Sequence, residues 1–70
     1  MTSQQRELAL RSIWEQIRVL IAAAESHERV AIAAPYPATA RYMKMADDAR
    51  KEADALTAAA TTLADAEVYP

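Results

Sequence analysis

Residues 33–38 read Ala-Ala-Pro-Tyr-Pro-Ala, and this short stretch decides the fold. Pro35 and Pro37 are the only prolines before the C-terminal Pro70, and the 70-residue chain has no glycine. A proline removes a backbone donor and pushes the residue before it out of the α region. A helix arriving from the N-terminal side must therefore stop near Ala33 or Ala34. Pro37 is acceptable in the first turn of a new helix. Everything outside this stretch favours helix. Eighteen residues are alanine, and Glu, Arg, Lys, Gln and Leu supply much of the rest. The lack of glycine also argues against β-hairpin turns, which usually need positive φ.

Working outward, Thr2 and Gln5 have the spacing of a capping box, with Thr2 as N-cap and Gln5 as N3. The expected elements are helix 1 over about 3–34, a turn at 35–37 and helix 2 over about 38–66. Val68-Tyr69-Pro70 reads as a frayed tail. The whole of 1–70 is then a single helical-hairpin domain, all-α in class.

Sustained 3-4 spacing of apolar residues marks the face that each helix turns to another helix. In helix 1 this seam is Leu10, Ile13, Ile17, Leu20, Ala24, His27, Ala31 and Ala34. In helix 2 it is Tyr42, Ala46, Ala49, Ala53, Leu56, Ala60 and Leu63. So short a connection makes the two helices antiparallel neighbours. Folding the chain about Tyr36 sets Ala24 opposite Ala49, Leu20 opposite Ala53 and Ile17 opposite Leu56. Ile13 then lies near Ala60, Leu10 near Leu63, and Ala31 makes room for Tyr42. Large residues oppose small ones along much of the seam, which lets the layers interdigitate.

The seam leaves apolar side chains over. Trp14 and Ile21 lie seven residues apart on one flank of helix 1, and Val19 and Val30 lie on the other. A chain of this size with few large apolar residues needs a staple. Cysteine is absent and His27 is the only histidine, so neither a disulfide nor a structural zinc site supplies one. Self-association remains. The expectation is a homodimer that joins two hairpins into a four-helix bundle, with Trp14, Ile21, Val19 and Val30 at the interface.

The chemistry of catalysis is missing. The residue three before His27 is Ala24, so the Glu-x-x-His pair of a di-iron bundle is not present. One histidine with scattered carboxylates is a poor transition-metal site. His27 reads instead as a half-buried structural residue packing near Met45. Ser26 adjoins His27, but sequence neighbours on a helix point about 100° apart and make no dyad. A phosphate-cradling loop needs glycine. Asp47 and Asp48 read as a solvated face paired with Lys44, Arg50 and Lys51. The expectation is no enzyme, no cofactor, no metal and no small-molecule substrate.

Charge is arranged unevenly. The chain carries eight basic and ten acidic residues, a net charge of −2. Residues 35–51 carry a net +2, and residues 52–70 a net −4, from Glu52, Asp54, Asp65 and Glu67 with no base. The turn end also holds Tyr36, Tyr42, Met43 and Met45. Tyrosine and arginine are common anchors of binding surfaces, and methionine adapts to irregular partners. Tyr36, Arg41, Met43 and Lys44 are therefore the candidate partner-binding residues. Asp47 and Asp48 would repel a phosphate backbone, which argues for a protein and against nucleic acid. No apolar run reaches the roughly 20 residues of a membrane helix, and Met1–Glu7 lacks the apolar core of a signal peptide. A cytoplasmic protein is expected.

In length and plan, a short antiparallel hairpin expected to dimerise, the chain resembles small phage-encoded inhibitors of the anti-quorum-sensing, anti-activator and anti-CRISPR types. That resemblance implies a viral protein in the host cytoplasm that binds and inhibits or modulates a host protein, such as a transcriptional regulator. The plan also resembles plasmid-encoded RNA-binding four-helix-bundle regulators. A structural assembly subunit is the third reading. No motif carries either resemblance, so no functional residue is transferred.

Overall fold

The computed structural model of the chain describes residues 1–68 and holds two helices, α1 (Ser3–Ala33) and α2 (Ala38–Ala64). The start of α1 is the expected capping box. The Thr2 amide donates to Gln5 Oε1 at 2.9 Å, and the Gln5 amide donates to Thr2 Oγ1 at 3.1 Å. Two of the four orphan amides of a helix start are thus satisfied by side chains. At the other end Ala34, the residue before Pro35, is extended with φ −85° and ψ 144°. This is the conformation proline imposes on its predecessor, and it ends α1 one residue before the expected outer limit.

The turn is held by its own backbone. The Thr39 amide donates to the Pro35 carbonyl at 3.3 Å, and the Thr39 hydroxyl donates to the Ala34 carbonyl. The Tyr36–Pro37 peptide bond is cis. Helix α2 has no side-chain N-cap, because Pro37 occupies that position. It stops at Ala64, about two residues short of the expected end. The Arg6 guanidinium of α1 donates to the carbonyls of Ala64 and Ala66, each at 3.2 Å. Arg6 thereby serves carbonyls that helix termination leaves without intrahelical partners, and it ties the open end of the hairpin shut. Of the expected tail, Val68 lies beyond α2, while Tyr69 and Pro70 lie outside the described residues.

All fifteen residues of the expected seam are buried or half-buried. The fully buried ones fall one per heptad, Ile17, Ala24 and Ala31 on α1 and Ala46, Ala53 and Ala60 on α2. Five of the six are alanine, which lets the helices approach closely at those positions. The consequence is a core without mass. Ile17 is the one large side chain among the buried residues, and the other large apolar groups of the seam are half-buried.

His27 is half-buried, as expected. Met45 is 46% exposed, and the ring recorded against His27 is that of Tyr42, with centroids 6.3 Å apart and a tilt of 33°. The seam steps from Tyr42 to Ala46, and Met45 sits about 100° round the helix from Ala46.

The result is a rod of 57 × 14 × 9 Å with a radius of gyration of 16.2 Å. A compact chain of this length would have a radius near 11 Å. The rod's accessible surface is 5171 Å², against about 4,300 Å² for a compact monomer of the same mass. It is a single layer of helix, whereas stable domains bury a core between at least two layers.

Candidate functional site

The turn end presents the most exposed aromatic of the described residues. Tyr36 is 84% exposed at the tip of the hairpin, with prolines on both sides. In the first turns of α2, Ala38, Arg41, Tyr42 and Met45 line a hollow of ≈ 320 Å³. Tyr42 forms its inner wall, braced by the His27 ring. Met45, displaced from the seam, supplies an apolar rim and Arg41 a cationic one.

The four candidate binding residues are not brought onto one face. Arg41 lines the hollow. Met43, two residues on, points roughly 200° away around α2, and it is exposed. Lys44 faces outward and is engaged, its ammonium 3.1 Å from an Asp48 carboxylate oxygen. Tyr36 stands apart at the tip. Ala38 and Met45 join the surface in their stead. The hollow was hidden in the sequence because Met45 falls within the 3-4 pattern's reach and reads as core.

The remaining cations of α2 are also paired. Lys51 sits 3.0 Å from Asp47 on the same helix, and that hydrogen bond raises the lysine's pKa above its ordinary value. Arg50 crosses the hairpin to Glu28, whose hydrogen bond and negative charge push the guanidinium pKa upward. Arg41 is thus the one cation of α2 without an ion pair among the described residues. Asp47 and Asp48 form the expected solvated face. Arg50 departs from it, because its long side chain reaches Glu28 on α1.

The leftover apolar flanks lie in the open. Trp14 is 45% exposed, and Ile21, Val19 and Val30 are exposed as well. Sequence reading missed a member of the Trp14 flank. Ile32, 86% exposed, stands eighteen residues after Trp14, which is five whole turns of helix. That spacing was the available signal. Trp14, Ile21 and Ile32 share one side of the rod, and Leu8, Val19 and Val30, spaced eleven residues apart, lie toward the other.

Among the described residues no three His, Asp or Glu side chains cluster to hold a metal ion, and no helix is long and apolar enough to cross a membrane. No protein-family model matches the chain, and no curated protein or solved structure is significantly similar to it.

Proposed function

We propose that the chain is a non-catalytic homodimer that works by docking its turn end onto another protein and inhibiting or modulating it. The observation that carries this reading is the turn end itself, with the exposed, proline-bracketed Tyr36 at the tip and the hollow of Ala38, Arg41, Tyr42 and Met45 in the first turns of α2. Two prolines restrict the backbone around Tyr36, so less entropy is lost when the ring is immobilised. An aromatic anchor, an apolar rim and one uncommitted guanidinium suit an apolar pocket with an acidic edge. Likeness in size and plan to small phage-encoded inhibitors makes a host protein, such as a transcriptional regulator, the favoured target.

The dimer has separate support. The rod's accessible surface is 5171 Å², roughly 800–900 Å² above that of a compact chain. Each partner in a standard protein interface gives up about 800 Å². A second hairpin laid on one side removes an area of that size and turns one helical layer into two.

RNA is the weaker partner. Three of the four cations on α2 are held by carboxylates, which leaves little positive charge to release counterions.

The test is affinity capture from host lysate, with and without nuclease, using the wild type and a Tyr36→Ala, Arg41→Ala double variant. The expected outcome is one protein retained by the wild type, insensitive to nuclease and lost from the double variant. The variant should keep its helical content and its mass in solution. Retention at wild-type affinity by the variant would move the binding surface to the outer face of α1 around Arg11, Glu15 and Arg18.

A further inference from the structure

The geometry points to a particular docking partner and pose for the Trp14 flank: a second copy of this chain, related by a twofold axis perpendicular to the rod, so that the turn end of one hairpin lies against the open end of the other. This inference rests on the dimer reading above and adds its arrangement.

Two observations carry it. The first is where the exposed apolar residues sit along the rod. Helix α1 runs from Ser3 to Ala33, so its midpoint is Arg18. Trp14 and Ile21, on one flank, bracket that midpoint almost symmetrically. In a twofold interface residue i meets residue j and j meets i. A perpendicular axis beside Arg18 therefore lays Trp14 of each copy on Ile21 of the other, with the two rods in register over their full 57 Å. The same operation carries Ile32 over the first turn of the second copy's α1, at Ser3 and Gln4. Trp14 and Ile21, the central pair of this flank, thus each meet an apolar partner.

The second observation is charge. The stretch from residue 35 to 51, at the turn end, has a net charge of +2, and the stretch from 52 to 70 has −4. With α1 included, the turn half of the rod (residues 19–51) carries a net +1 and the open half (1–18 with 52–70) a net −3. The perpendicular axis places the positive half of each rod beside the negative half of the other. An axis along the rod does the opposite. It sets like ends together and lays α1 over α2 of the second copy, which brings Ile21 to the region of Arg50, a residue already committed to Glu28. Apolar matching and electrostatic complementarity thus select the same arrangement, and complementary charge is what fixes orientation in an interface.

The test uses the full chain, which has no cysteine of its own. Tyr36→Cys and, separately, Lys44→Cys are labelled with a nitroxide, the mass in solution is measured, and the label-to-label distance is read by pulsed electron resonance. Both sites are exposed and outside the seam. The expected result is twice the 7.7 kDa chain mass with a separation longer than half the rod's 57 Å. The same mass with a shorter separation overturns the perpendicular axis and leaves the dimer standing. The mass of a single chain at micromolar concentration, or any mass other than twice the chain, overturns both. Charge reversal gives a second reading. Trp14→Glu and Ile21→Lys should each weaken association, and their combination in one chain should restore it, because each glutamate then faces a lysine of the other copy. Failure of the combination to restore association, with folding intact, overturns the pairing.

Discussion

Alanine at a buried position is usually filler, but here the five buried alanines, Ala24, Ala31, Ala46, Ala53 and Ala60, set the distance between the helices. A side chain with more than one carbon has no room between two backbones at such a site. Ala53→Leu is therefore expected to destabilise the hairpin by about 1–3 kcal/mol through overpacking. Ala55→Leu, at an exposed position of the same helix, should be nearly neutral. Urea denaturation of the two variants side by side checks this, and equal stabilities would mean that α2 is not seated on α1 through its alanine stripe. At this scale most of the seam was legible, because 3-4 spacing identifies a helix face whatever the size of its residues. The neighbour of His27 was less so. Tyr42 and Met45 are three apart, and which of them lies by His27 depends on the register of the two helices. The Glu28–Arg50 pair was hidden for a related reason. Long side chains reach across a hairpin to partners that a register count does not select.

At the scale of the elements, the two helices are stabilised at their ends in different ways. Helix α1 starts in a capping box, and substituting such a cap typically costs about 1 kcal/mol. Thr2→Ala is expected to show a loss of that order or less, with faster amide exchange confined to the first turn of α1. Uniformly faster exchange along the helix would show that the cap supports the whole hairpin. Helix α2 has no side-chain cap and relies on pairs four residues apart, Lys44 with Asp48 and Lys51 with Asp47. The pKa of Lys51 is raised in the fold by its hydrogen bond to Asp47. A group whose pKa is higher folded than unfolded stabilises the fold fully below its unfolded pKa, and that contribution fades as pH rises through the folded value. The ordinary lysine value is near 10.4, so the pair acts at neutral pH and is lost in alkali. Melting temperatures of the wild type and Asp47→Asn should differ at pH 7 and converge as pH rises above about 10.4. A difference that persisted there would assign the effect of Asp47 to something other than Lys51. Element boundaries were readable at Pro35 and Thr2 because proline and capping chemistry are local. The end of α2 was not, since it is finished by Arg6, a residue near the other end of the chain.

At the scale of the whole molecule, the deciding quantity is thickness. A rod 9 Å thick is one helix deep, so every residue off the seam has a face toward solvent. Sequence reading reached this point from composition, by noting that few large apolar residues remain once alanine is set aside. It also divided four of them between two flanks by helical spacing, Trp14 and Ile21 against Val19 and Val30, and overlooked Ile32 and Leu8. The division decides what a second copy can cover. Laid on the Trp14, Ile21 and Ile32 side, it leaves Val19 and Val30 free, so those two are expected to contribute little to association. Trp14 is the most informative position. In the isolated hairpin its indole is about half exposed, and truncating it would cost little. Fully buried against a second copy, Trp14→Ala is expected to cost about 3–5 kcal/mol. Folding and association are then one equilibrium, and the melting temperature of the wild type should rise with protein concentration. The variant should melt lower and lose that dependence as its monomer becomes the dominant folded species. A wild type whose melting point is independent of concentration, with the mass of one chain, would mean that the seam of a single hairpin holds the fold.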